Sequence, residues 1–188
     1  MSNYYSMRGY AEEPIVLIYS LGPPNESDNW MWGRKFTEAV KEPVEAIIIP
    51  DNDQGVLMPF YNTPQIMRKD MYHALQNAGV SNIDIYRAVV KYEDGRIVSE
   101  DYVAYNIIGL IKACDMVKTQ FAEENPSRLI DASIEILAID ESIVKDHLIF
   151  RLYESFRMII VHASVKSSIE SNNIPCVIFQ EMGNPQMF

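Results

Sequence analysis

Reactive side chains are scarce in this sequence. Its 188 residues hold two cysteines, Cys114 and Cys176, and three histidines, His73, His147 and His162. The cysteines follow no C-x-x-C or other metal or redox spacing, so both are expected as reduced core thiols. No two histidines stand at ligand spacing, and there is no glycine-rich phosphate loop, no G-x-S-x-G and no H-E-x-x-H. Neither an enzyme nor a cofactor nor a metal is expected. Positive charge is also scarce: 16 Lys and Arg against 26 Asp and Glu leave a net charge of −10. That balance argues against nucleic acid as a ligand and for a basic or neutral partner. No segment approaches the roughly 18 consecutive apolar residues of a membrane span. The first ten residues are polar and aromatic, and Ile15–Tyr19 is too short for a signal peptide. The expected location is the cytoplasm.

Hydrophobic residues make up 48% of the chain and charged ones 22%, a globular balance that supports one substantial core or two small lobes. The stretch Asp101–Thr119 is apolar at both odd positions (Val103, Tyr105, Ile107, Ile111) and even ones (Ala104, Ile108, Leu110). A strand there would be buried on both faces, which predicts the centre of the sheet. Asn106 is its committed polar side chain and must find a partner. Asp115–Lys118 then reads as a short helical or turn segment leaving the sheet.

Elsewhere the pattern predicts strands at Ile15–Tyr19, Val44–Ile49, Ile83–Tyr92, Leu148–Leu152, Met158–Val161 and Cys176–Phe179, with a hairpin at Asp94-Gly95. A short helix is expected over Arg34–Lys41, stopped by Pro43. A second helix has Thr63 as N-cap, Pro64 at its first position, Gly79 past its end and Met67, Met71, Ala74, Leu75 and Ala78 as its buried stripe. A third runs from about Ser164 to Asn172 with Val165 and Ile169 inward. Leu75–Val80 and Ile169–Ile174 share a helix–stop–strand pattern that fits either a duplicated fold or the ordinary grammar of helix ends. Trp30 and Trp32 read as a binding platform or as a loop plug over the core, the plug being the commoner use. Asp51–Gly55 lacks the closing glutamate of a calcium loop and reads as a polar turn. Glu123–Pro126 reads as a loop. From Arg128 the chain alternates, with Ile130, Ala132, Ile134, Ile136 and Ala138 on one face and Asp131, Ser133 and Glu135 on the other. The expected fold is α+β: one mainly antiparallel sheet with two short helices packed on it. Residues 1–43 are expected as an N-terminal extension (strand, Trp-containing loop, short helix) and 44–188 as the main domain.

The helix-Gly-strand pattern of Met67–Val90, the Asp-Gly hairpin, the strand with Tyr102 and Asn106, Asp115 just after it, Ile149-Phe150-Arg151, then Ile159-Ile160-Val161, a short helix and Val177 with Phe179 follow one another in order. Together they resemble family eleven of the bacterial immunity proteins, first catalogued as a domain of unknown function, over roughly Ile47–Gln180. The resemblance implies a protein of a polymorphic toxin system that binds and neutralises a cognate toxin domain. Its motifs are mostly structural. The chain departs from the pattern at His162-Ala163-Ser164, where Ser or Asp would be expected to open the last helix.

The residues themselves point to the same class. From Asp115 to Asp146 eight acidic side chains face three basic ones, a net of −5. Such a run is usually a solvated face, and a basic partner would make it an interface. Asp131, Glu135, Asp140, Glu141 and Asp146 are the expected partner-binding residues, chosen by charge density. Phe150 is expected to point to the core and Arg151 outward, where an interface anchor and an ion pair with a strand carboxylate are equally open. Two other classes compete. A small-ligand or catalytic protein would have its pocket around Asn106 and Asp115. A structural module of a larger assembly would expose Trp30 and Trp32 as an apolar patch.

Overall fold

The computed structural model describes residues 2–19, 21–122 and 131–186. In chain order the elements are β1 (Tyr4–Gly9), β2 (Val44–Ile47), β3 (Phe60–Tyr61), β4 (Ile66–Arg68), α1 (Lys69–Asn77), β5 (Ile83–Lys91), β6 (Ile97–Ile107), β7 (Leu110–Ile111), β8 (Gln120–Phe121), β9 (Ile134–Ile136), α2 (Glu141–Val144), β10 (Ile149–Leu152), β11 (Ser155–His162), α3 (Ala163–Ser171) and β12 (Val177–Glu181). The class is α+β, as expected, but the single sheet is not: the strands form three sheets. Sheet 1 has the order β12-β1-β11-β10-β7, sheet 2 the order β2-β5-β6-β4-β3, and β8 pairs with β9. Both large sheets are mixed, because β7 lies parallel to β10 and β2 parallel to β5.

The two large sheets repeat one plan. A hairpin (β3–β4 or β10–β11) leads through a helix to a strand on the far side of a gap one strand wide. In sheet 2 the gap is filled by the next strand, β6, and in sheet 1 by β1 from the chain's other end. The helix ends match in detail. Gly79 (φ 90°) and Asn173 (φ 53°) occupy equivalent left-handed positions. Val80 N–H donates to Leu75 O, and Ile174 N–H to Ile169 O. This is the six-to-one closure of a helix terminus, now set in a shared topology. The inner faces of both sheets and the buried stripes of α1 and α3 share one core, with Met7, Met67, Leu75, Tyr105, Ile159 and Ile169 among its members.

The chain passes from sheet 2 to sheet 1 at Ile108-Gly109. The expected central strand therefore ends at Ile107, and Leu110–Ile111 pairs with β10 instead. Gly109 (φ 141°) makes this bend, and Asn82 Nδ2 donates to Ile108 O at 2.8 Å and Ile149 O at 2.9 Å, stitching the sheets together. β6 is nonetheless the middle strand of its sheet.

Other expectations change for tertiary reasons. The helix expected from Thr63 begins at Lys69, because Ile66–Arg68 is taken into the ladder beside Tyr102–Ala104, which buries Ile66 and Met67 completely. Its stripe of Met71, Ala74 and Leu75 is as expected. No helix forms over Arg34–Lys41, since Thr37 N–H and Oγ1 both donate to the buried Asp28 carboxylate. Ile15–Tyr19 makes only isolated bridges, Ile15 to Val56 and Ile18 to Ile48, and the N-terminal strand is Tyr4–Gly9. Residues 1–43 thus supply an internal strand of sheet 1 and, through Val16, Ile18, Leu21 and Trp30, a cover for the outer face of sheet 2. Trp30 is the plug, its Nε1 donating to Gly22 O, whereas Trp32 is about half exposed beside Arg34. The alternating strand shortens to Ile134–Ile136, and the alternation breaks at the fully buried Leu137. Glu123–Pro126 and Arg128–Ile130 lie outside the described residues. His162 supplies the missing cap of the last helix, its ring accepting from Ser164 N–H at 3.2 Å.

Burial alone would raise the Asp28 carboxyl, but hydrogen bonds from Thr37 and Asn25, with Arg34 nearby, hold it below the ordinary carboxylate range. A carboxylate with a depressed folded pKa stabilises above its unfolded value of about 4 and loses that contribution as pH falls through the folded value. Asp28→Asn is therefore expected to destabilise at pH 7, with the difference from wild type shrinking below about pH 4 in urea unfolding. A gap independent of pH would remove this carboxylate from the acid response. Leu75→Ala should cost about 2–5 kcal/mol by the same measurement, because the side chain is wholly buried between the sheets.

Candidate functional site

The outer face of sheet 1 presents Tyr4, Phe150, Leu152 and Ile160, which would be a wet apolar surface if left open. The acidic segment closes it, with Ala113, Cys114, Ile134, Leu137 and Val144 packed against that face. Backbone ties fix the cover: Cys114 bridges Ile139, Asp131 bridges Ser155, and Gly183 N–H donates to Leu137 O. The acidic residues ride on this layer, and they are not equivalent.

Asp115 anchors the turn after β7. Its carboxylate accepts from Val117 N–H, Lys118 N–H and Lys118 Nζ, the last at 2.7 Å, and the lysine holds it below the ordinary range. Asp140 caps α2 by accepting from Ser142 N–H at 3.0 Å. Glu141 is partly buried, and contacts from Ser2, opposed by burial and aided by Asn3, lower its pKa. Asp131 pairs with Arg157 at 3.5 Å. Glu135 and Asp146 are exposed and form no ion pair among the described residues. Charge density thus marked five side chains, of which two are free to meet a partner. It did not mark the apolar residues among them: Val117 is 94% exposed, with Met116 and Ile143 each at 50%. The signal in the sequence is Met116-Val117 at the tip of a turn between Asp115 and Lys118.

The remaining expected positions are structural. Tyr102 is buried and its hydroxyl donates to Met58 O at 2.8 Å. Asn106 is fully buried on the outer face of sheet 2, where Nδ2 donates to Arg34 O at 2.8 Å and Oδ1 has no partner. Asp115 lies on the cover of sheet 1, a different layer from Asn106, and neither of the clefts found among the described residues is lined by either of them. Phe150 points into the core beneath the acidic cover, as expected. Arg151 does not point outward. All four residues of β10 are buried, because the strand is covered on both faces, and alternation then gives two insides rather than an inside and an outside. The guanidinium lies beside Tyr105 in the shared core, with Nη1 donating to Phe156 O at 3.2 Å and Nε and Nη2 unpartnered. Burial works against its charge, and Tyr105 offsets only part of that.

Sequence reasoning missed Glu154, which is fully buried in the β10–β11 turn with its carboxylate 3.4 Å from each of Ala113 N and Cys114 N. Burial, with Glu154 adding to it, pushes the Cys114 thiol up to about 12, so it is an inert core group. Both cysteines are free. Among the described residues no three His, Cys, Asp or Glu side chains converge into a metal-holding group, and no helix is long and apolar enough to cross a membrane.

Arg151 carries a buried charge without a carboxylate, so Arg151→Met is expected to leave the fold intact and raise its stability by about 1–3 kcal/mol in chemical unfolding. A loss of similar size would show that the bond to Phe156 O and the contact with Tyr105 outweigh the cost of burying the charge.

No protein-family model matches the chain, and no curated protein is similar to it.

Proposed function

We propose that this chain is a non-enzymatic binding protein of the immunity class, which neutralises a basic protein toxin domain by capturing it on the acidic cover of sheet 1. The observation that carries the reading is Val117. It stands almost wholly exposed at the tip of a turn that Asp115 pins from below, in a segment of net charge −5. An apolar residue presented on a fixed turn loses little conformational freedom when a partner covers it, and its burial contributes about 1.5–3 kcal/mol. The surrounding carboxylates provide the polar rim of such an interface and steer a cationic partner toward it. Glu135 and Asp146 are the free charges for that task. The chain's overall charge of −10 extends the same field.

The test is co-expression with the C-terminal domain of any toxin-like gene found to adjoin the gene for this chain, followed by co-purification and binding kinetics. Rescue of growth with a stable complex is the expected result. Glu135→Lys combined with Asp146→Lys should slow association about tenfold at low salt and much less at high salt. Val117→Asp should instead raise the dissociation rate. Full rescue and unchanged kinetics in both variants would remove this surface from consideration.

A further inference from the structure

A cleft of about 550 Å³ opens beside the Asp131 end of the acidic cover, walled by β1, β11, the loop at Asn62–Thr63 from sheet 2, and Asp131–Ser133. Its size suits a small organic ligand rather than a bare ion. Four observations describe its chemistry. Arg8, half-buried on β1, forms no ion pair among the described residues, and its Nε is buried without a hydrogen-bond partner. Its guanidinium carbon lies 5.6 Å from the Tyr10 ring, a contact that leaves the donors unused. Arg157 is 69% exposed at the side chain, lies 5.8 Å over the Phe156 ring and faces Asp131 at 3.5 Å, beyond good hydrogen-bond distance, so its donors stay open. The hydroxyls of Thr63, Ser133 and Ser155 also line the cleft and make no hydrogen bond among the described residues. Two guanidiniums against one carboxylate leave this concavity cationic, in a chain whose net charge is −10.

An acidic protein gains nothing in stability from an arginine with a buried, unpaired Nε, because a buried donor without a partner costs about 1–3 kcal/mol. The missing partner is an acceptor, and a guanidinium edge matches the two oxygens of a carboxylate or phosphate. Met7, Met158 and Ile159 supply the apolar part of the wall. We propose that this cleft binds a small organic oxyanion, a phosphate monoester or a carboxylate joined to an apolar body, clamped between Arg8 and Arg157. The inference is independent of the toxin-binding reading, since the cleft and the Val117 turn share no residue.

Isothermal titration of the full chain with phenyl phosphate, benzoate and uncharged benzyl alcohol tests it. Saturable binding of at least one of the anions at up to millimolar concentrations, without binding of the alcohol, is the expected result. Preference for phenyl phosphate would identify a phosphate ligand, and preference for benzoate a carboxylate. Arg8→Gln and Arg157→Gln should each weaken binding about tenfold or more, whereas Arg96→Gln, which stacks on Tyr92 away from the cleft, should not. Asp131→Asn should strengthen binding by freeing Arg157. If Arg8→Gln fails to fold, Arg8→Lys keeps the charge but loses the fork, and should also bind more weakly. Absence of saturable binding to both anions, equal binding of the alcohol, or anion binding unchanged in both arginine variants would overturn the proposal.

Discussion

The fold depends on a gap. Each helix crossover lands its strand one position away from the hairpin it left, so both large sheets contain an opening that a further strand must close, and in both an antiparallel strand does so. Left open, the facing N–H and C=O groups of β11 and β12, or of β4 and β5, would be buried without partners, a cost the hydrophobic core could not offset. Sheet 2 closes its gap locally with β6. Sheet 1 closes its own with Tyr4–Gly9, so the chain's beginning is locked between its last two strands. Once both gaps are filled, the inner faces can meet around α1 and α3, where the Ser168 hydroxyl donates to Ala74 O at 2.7 Å across the helix pair.

Filling the interior this way leaves each sheet with an outer face that needs its own cover. The N-terminal loops supply one around Trp30, and the acidic segment supplies the other. This division explains why the acidic surface is also firmly positioned. Its carboxylates hang from a layer whose underside is core, while Val117 stands outside it. The cleft with Arg8 and Arg157 lies at the margin of that same cover. Two different kinds of surface, one anionic and one a cationic cleft, therefore border a single sheet.

The buried polar groups follow the same logic. Asn106 and Arg151 both sit on strands covered on both faces, and each retains an unpartnered atom. Tyr61, Tyr102 and Tyr105 meet their obligations better, donating their hydroxyls to the backbone carbonyls of Val16, Met58 and Tyr61 respectively. The last of these ties the edge strand β3 to the middle strand β6.

What the sequence determined by itself were the elements with strong local signals. The buried stripe of α1, the Asp94-Gly95 hairpin, the strands Ile83–Lys91 and Ile149–Leu152, the α3 face and the turn after Asp115 were all legible, because periodicity, turn chemistry and capping act over a few residues. The acidic segment was legible as charge. The division into two sheets, the place of Tyr4–Gly9, the strand fate of Ile66–Arg68 and the burial of Arg151 were decided only in three dimensions. Each turns on which distant backbone lies alongside, and pairing between strands far apart in the chain leaves no period in the local sequence. Alternation reports an inside and an outside only where one face is wet, and β10 has none.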